Sequence, residues 1–265
     1  QKSKAIYVKF PVTNCEEKLN IIIWTTTPWT IPCNKAIAFS KKLDYKIIKI
    51  EEDLSSLSLK SGEKLILAEN LLQNFLTTHS IKKFSIHNSI KVGDLEKLIC
   101  EHPLKSIGYK FKVRLFDSWH VTDETGTGFV HIAPNHGIED FEVGAKNNLD
   151  NLPTVDDKGI YTSNVPFFEG MHVFKADEKV VKQLENVNKL ISCMDYTHSY
   201  PHSWRSKAPL IFRATSQWFI SLEQKGLRNR ALDEIELVKW IPEISKNRIK
   251  SMVKDRPDWC VSRQR

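Results

Sequence analysis

An α+β fold is predicted for this chain of 265 residues: a β-rich domain to about residue 198, then a mostly helical extension over 199–265. Three observations carry that expectation. Short runs rich in Ile, Val and Phe, separated by turn residues, fill the first half. Helical periodicity is clearest in a few stretches after residue 140. Past Pro201 the texture turns aromatic and basic, with no internal repeat and no low-complexity linker before it.

Strands are expected at residues 5–10, 20–27, 35–40, 45–50 and 84–90. Lys35–Phe39 and Tyr45–Ile50 flank Lys41-Lys42-Leu43-Asp44 and read as a hairpin. Glu63–Leu67 begins as a strand and passes into a helix through Asn70–Leu76. Tyr109–Leu115 alternates apolar and basic residues, the mark of a strand with one buried face. Gly126 and Gly128 make a turn before a strand at Phe129–Ala133. Helices are expected at Phe141–Leu149 and at Lys175–Leu190, where Val180, Val181, Leu184, Val187 and Leu190 form one stripe. Two more are expected at Gln217–Arg230 and Glu243–Lys254.

Composition narrows the class. With 41% hydrophobic residues the chain can fill one large core or two modest ones. No apolar run approaches the roughly 18–20 residues of a membrane span, and Gln1-Lys2-Ser3-Lys4 does not lead into a signal peptide. The first residue is not Met, so a piece of a longer protein is expected. Five scattered cysteines (15, 33, 100, 193 and 260) contain no C-x-x-C pair, which argues for reduced thiols and against structural zinc. The net charge of +7 is localised: Tyr200–Arg265 holds 14 Lys/Arg against 7 Asp/Glu, and the remainder balances at 25 against 25. A basic C-terminal quarter suits a phosphate-bearing neighbour, although a solvated helical surface has the same composition.

Two segments exceed what a core strand needs. Between Gly126 and Asp140 the chain places His131, His136, Glu139 and Asp140 at a strand-to-helix transition. Alternation puts Phe129, His131 and Ala133 on one face and Val130 and Ile132 on the other, the natural core pair. Pro134 ends the ladder, Asn135-His136-Gly137 turns, and the two carboxylates fall where a helix dipole favours them, as a cap would. About a hundred residues upstream, Trp24-Thr25-Thr26-Thr27-Pro28-Trp29-Thr30 offers four hydroxyls around a proline-fixed bend. β-propensity alone accounts for threonines in a strand. It does not account for both segments together. No G-x-S-x-G elbow, phosphate loop or nucleotide-activating signature is present, and His131 with His136 lacks a third metal ligand.

Four blocks, in order and spanning nearly the whole chain, resemble isoleucyl-tRNA synthetase: Trp24–Thr30, the Gly-Thr-Gly-Phe-Val-His…Asp block ending at Asp140, Trp204-Arg205…Pro209, and Arg256-Pro-Asp-Trp-Cys-Val-Ser-Arg-Gln264. The leucyl and valyl enzymes share the first segment and the glycine turn. They typically carry Met or Lys at the position of His131 and Ala-His-Asp at that of Asn135-His136-Gly137. The resemblance implies a barrel-like editing (CP1) domain over 1–198 and, over 199–265, a helical return linker toward the class I catalytic domain.

It also implies a function, hydrolysis of the ester in valyl-tRNA(Ile). A pocket that accepts isoleucine rejects valine by only about 1–3 kcal/mol, a comparison for which this family is itself the usual illustration. A second, smaller pocket must therefore remove the error. By resemblance, Asp140 holds the α-ammonium and His131 excludes isoleucine. Thr25, Thr26, Thr27 and Thr30 line the pocket and position water, while Trp29 and Tyr200 wall it. His131 is not assigned as the base; the terminal ribose hydroxyl is the alternative activator. His136 and Glu139 are read as turn and helix-start residues.

The partners implied are tRNA(Ile) with its 3′ aminoacyl-adenosine, the valine moiety, and the catalytic domain of a parent enzyme, in the cytoplasm with no membrane. No cofactor is expected in this fragment; the parent would use ATP and Mg. Some relatives bind zinc through cysteines around the Trp-Arg motif, and here Ser203 and Ser206 stand there. Asn135 and Ile138 replace a common glycine and proline. Two other readings remain: a tRNA-binding or docking module without chemistry, and the editing domain of a leucyl or valyl enzyme.

Overall fold

The computed structural model describes residues 2–262; Gln1 and the end of the last block, Arg263 and Gln264 included, lie outside the described residues. The chain divides into two compact units, one through Ala214 and one from Thr215.

The first unit contains β1 (Lys2–Pro11), β2 (Leu19–Thr25), β3 (Ala36–Phe39), β4 (Tyr45–Ile50), β5 (Lys64–Ala68), α1 (Glu69–Thr78), β6 (Phe84–Ile90), a short α2 (Val92–Leu95), β7 (Ile99–Glu101), β8 (Lys112–Asp117), β9 (Val130–Ile132), α3 (Ile138–Lys146), α4 (Asp177–Asn186) and β10 (Leu190–Thr197). Six strands form one sheet in the order β10-β1-β2-β5-β4-β6, and four form another, β7-β8-β3-β9. Both are mixed, with β2–β5 and β3–β8 parallel and the other pairs antiparallel. The α+β class holds. The ladder does not close into a barrel among the described residues; a single bridge, Val12 to Cys100, links the sheets.

Alternation along the strands builds three apolar layers. Ile21 and Ile23 join Ile6, Val8, Ile37, Phe39, Val113 and Phe129 in the main core shared by both sheets. Ile22, one residue out of phase, points to the opposite face, where Leu72, Phe75 and Leu76 of α1 cover it. Behind the second sheet, Ala36, Ala38 and Ile132 pack with Val143 of α3. His131 thus shares its face with Phe129 and Ala133 of the main core, and Val130 and Ile132 belong to the smaller layer, so both faces of β9 are buried.

Several expectations change. Lys35–Phe39 and Tyr45–Ile50 are not a hairpin: β3 pairs with β8 and β9, and β4 with β5 and β6. The connection carries the chain between sheets, and Tyr45 fixes the crossing, its hydroxyl accepting from Ser40 N (3.0 Å) and donating to Gly128 O (2.9 Å). The helix expected to Leu190 ends at Asn186, because Asn188 adopts φ 54° and the chain turns into β10. α3 begins three residues earlier than expected, capped at Gly137. The glycine turn is real: Gly128 has φ +80°, and a Cβ there would stand 2.3 Å from Ala68 Cβ.

Residues 199–214 pack with the first unit. Ala214 N donates to Asn135 O (2.8 Å), and His136 Nδ1 donates to Phe212 O (2.9 Å). The second unit holds β11 (Phe219–Ile220), α5 (Leu227–Leu237), α6 (Ile244–Lys254) and β12 (Trp259–Cys260). β11 and β12 pair as a short antiparallel ribbon. Residues 217–220 therefore lie outside any helix, and the helix expected from Gln217 starts at Leu227. Among the described residues no helix is long and apolar enough to cross a membrane.

Candidate active site

β2 ends at Thr25, and the chain then bends. Thr27 N donates to Thr25 Oγ1 (3.1 Å), and Pro28 opens a 3-10 helix over Pro28–Cys33. Inside it Thr30 donates its hydroxyl proton to Thr27 O (2.8 Å). Trp29 is held by both backbone groups: its N–H donates to Asp177 Oδ1 (2.9 Å) at the start of α4, and its carbonyl accepts from the buried Tyr161 hydroxyl.

From the other side β9 delivers His131, with Nε2 2.9 Å from Thr30 Oγ1. The single proton of the Thr30 hydroxyl lies toward Thr27 O, which only accepts. His131 Nε2 must then carry the hydrogen of the second bond, an assignment made from the bonding pattern. Nδ1 is left as a buried acceptor with no donor among the described residues. Burial, with the neighbouring His136 adding to it, lowers the His131 pKa to about 4, so the ring is neutral.

Three residues past Gly137, at the first turn of α3, Asp140 turns back so that Oδ2 accepts from Ala133 N (2.8 Å). Its other oxygen has no protein donor among the described residues. Burial raises its pKa to about 6, against the effect of the Ala133 bond. Gly137 leaves the room this needs, since a Cβ there would lie 3.2 Å from Asp140 Cγ.

These side chains surround a cavity of about 280 Å³. Of the eight residues expected in the site, Thr25, Thr27, Trp29, Thr30, His131, Asp140 and Tyr200 line it; Thr26 is not among the lining residues. Sequence reasoning missed His136, taken as a turn residue. Its ring meets Trp29 edge to face at 4.9 Å, and Nε2 accepts from Thr154 Oγ1 (2.7 Å). With Nδ1 donating to Phe212 O, both nitrogens are engaged, and burial lowers its pKa to about 4. Trp24, Val130, Gly137, His198 and Phe212 also line the cavity. The signal for His136 was present in its spacing from His131; Asp177 gave none, being one acid in a charged helix start.

A neutral imidazole, several hydroxyls and one desolvated carboxylate with a free oxygen suit a small ligand that carries a cation at one end. The family model for tRNA synthetases class I (I, L, M and V) matches residues 24–265, and the chain belongs to that family. Within the family its sequence is similar to isoleucine–tRNA ligases along essentially its whole length. Identity is 46% over 268 residues with that of Pelagibacter ubique (strain HTCC1062), covering 100% of this chain and 29% of the relative. It is 44% over 263 residues with that of Shewanella sp. (strain W3-18-1), covering 99% and 27%. The chain therefore spans little more than a quarter of these relatives. In fold it is similar to the crystal structure of GlLeuRS-CP1 (TM-score 0.57, 14% identity, 74% of this chain and 100% of that one). It is likewise similar to the P. falciparum cytosolic leucyl-tRNA synthetase editing domain (TM-score 0.55, 11% identity, again 74% and 100%).

Proposed function

We propose that this chain is a post-transfer editing domain that hydrolyses the ester of valyl-tRNA(Ile) and spares isoleucyl-tRNA(Ile). The observation that supports this most directly is Asp140. A carboxylate that burial drives to a pKa of about 6 lacks a cationic partner among the described residues, and the α-ammonium of an aminoacyl ester supplies one. Water adds to the ester carbonyl, the bond to the terminal ribose oxygen breaks, and valine and tRNA with a free 3′-terminal hydroxyl leave. His131, fixed by Thr30, sets the depth of the pocket and excludes the extra methylene of isoleucine. Thr25, Thr27 and Trp29 hold the terminal adenosine and the water. Neither histidine is assigned as base: His136 has both nitrogens bonded, and His131, whose Nε2 donates to Thr30, keeps only a buried Nδ1 on a ring that burial lowers to a pKa of about 4. Activation of the water is assigned to the substrate's own ribose hydroxyl, with positioning by the site.

Amino-acid activation, with its ATP and Mg, is assigned to the remainder of a parent synthetase, with residues 199–265 read as the return linker toward its catalytic domain; the setting proposed is cytoplasmic. The test is deacylation of Val-tRNA(Ile) and Ile-tRNA(Ile) by the wild-type chain and by Asp140→Ala. Hydrolysis of the valyl ester alone, lost in the variant, is expected. Undiminished hydrolysis by the variant would remove Asp140 from the reading, and tRNA association without any deacylation would favour a docking module.

A further inference from the structure

Five rings recur at every second residue where β10 leaves the sheet: Tyr196, His198, Tyr200, His202 and Trp204. Extended backbone places alternate side chains on one side. The ring centroids of Tyr196 and His198, of His198 and Tyr200, and of Tyr200 and His202 are each 5.9 Å apart, forming a continuous row. The row passes the cavity, because His198 and Tyr200 line it. Trp204 stands beyond, 74% exposed, with the Arg205 guanidinium 4.7 Å from its ring.

The segment is ordered by its own bonds. Tyr200 OH donates to Leu210 O (2.9 Å), His202 bridges to Pro209, and Ser203 N donates to Ala208 O (2.9 Å). Such order lowers the entropy lost when a ligand lies on it. From Tyr196 to Ala214 the chain carries Arg205, Lys207 and Arg213 and no acidic residue, and none of the three forms an ion pair with a described residue. Trp204 lies four residues from Tyr200, at most about 14 Å along an extended chain.

Exposed rings in sequence, flanked by unpaired cations and leading into a cleft, are the elements of a single-stranded nucleic-acid track: π-faces accept bases of any identity and the cations neutralise phosphates. We propose that this row carries the single-stranded 3′ end of the RNA into the cavity. The terminal nucleoside sits at His198 and Tyr200, and the nucleotides before it stack outward toward His202 and Trp204. The inference rests on the reading that an RNA 3′ end is the substrate, and it adds the path by which that end arrives.

The experiment is an anisotropy titration of the whole chain with an uncharged RNA hairpin bearing a short single-stranded 3′ tail, and with the same hairpin made blunt. Wild type is expected to prefer the tailed RNA. Trp204→Ala should weaken tailed binding at least about fivefold and leave blunt binding alone, with Trp204→Phe recovering most of the loss. Arg205→Gln should weaken it and lower the salt slope by about one. No preference for the tail in wild type, Trp204→Ala binding indistinguishable from wild type, or equal loss on both RNAs would overturn the proposal. Because no ester is present, the titration reads RNA binding apart from hydrolysis. A tail preference without deacylation would therefore sink the hydrolytic reading alone. Deacylation with an unchanged KM in Trp204→Ala would sink only the track.

Discussion

Thr30 Oγ1 lies 2.9 Å from His131 Nε2, joining two segments a hundred residues apart inside one cavity. The bond does more than connect them. Because Thr30 gives its own proton to Thr27 O, it dictates the tautomer of His131 and holds the imidazole at one depth.

Substitution at either partner should therefore change selectivity before it changes rate. Thr30→Ala frees the ring to move, and His131→Ala opens space for another methylene. Both should hydrolyse Ile-tRNA(Ile), eroding a discrimination of about 1–3 kcal/mol, while attack on Val-tRNA(Ile) persists. Paired deacylation assays check this, and a variant that loses both activities together would point to collapse of the site.

Asp140→Asn keeps the shape and removes the charge. The ammonium then loses a charge-assisted bond of about 1.5–3 kcal/mol, so kcat/KM for the valyl ester should fall roughly 10- to 150-fold. Single-turnover deacylation reads the loss, and a change far below that range would contradict an ammonium at this oxygen.

The same carboxylate sets a pH dependence. Its pKa is raised to about 6, so it is protonated below that value and charged above it. Deacylation at subsaturating substrate should rise as pH increases through about 6. Asp140→Asn should flatten that limb.

Stability should respond to acid with competing signs. His131 and His136, lowered to about 4, and His102, lowered to about 3, bind fewer protons folded than unfolded. Their contribution is complete above about 6.5 and is lost as pH falls through about 4. Asp140 and Asp177, both raised to about 6, act oppositely, favouring the fold more as pH falls from about 6 toward 4. Removing one opposing group with Asp140→Asn should steepen the decline between about pH 6 and 4 by up to ~1.4 kcal/mol per pH unit. Urea midpoints across this range measure it.

Gly128→Ala should destabilise the first unit by about 2–4 kcal/mol, combining a left-handed φ of +80° with a Cβ 2.3 Å from Ala68 Cβ. A denaturant midpoint close to wild type would show that the turn yields more easily than its contacts suggest.

Local chemistry made much of this legible in advance. Pro28 and Gly128 punctuate the chain where their backbone restrictions require, and the threonine and His131–Asp140 segments, read from pattern and resemblance, meet around one cavity. What stayed hidden depends on distant pairing. β3 and β4 looked like a hairpin because nothing between them says that Tyr45 will bond across to Gly128. Only the first residue of β10 was absorbed into a helix, because Val187 and Leu190 fit the stripe of α4; the rest of the strand went unassigned, and only pairing with β1 makes that stretch a strand. His136 looked like turn chemistry until Thr154, Phe212 and Trp29 closed around its ring.

One pairing has a wider consequence. β1 and β10 lie side by side, with Lys2 opposite Thr197, so the polypeptide leaves this sheet next to where it joined it. A fold with adjacent attachment points can be spliced into another protein as one enlarged loop. The recipient has to bridge only the spacing of neighbouring strands, about 5 Å, whatever the size of the insert. Such a module can be gained, lost or exchanged without moving the framework on which it rides.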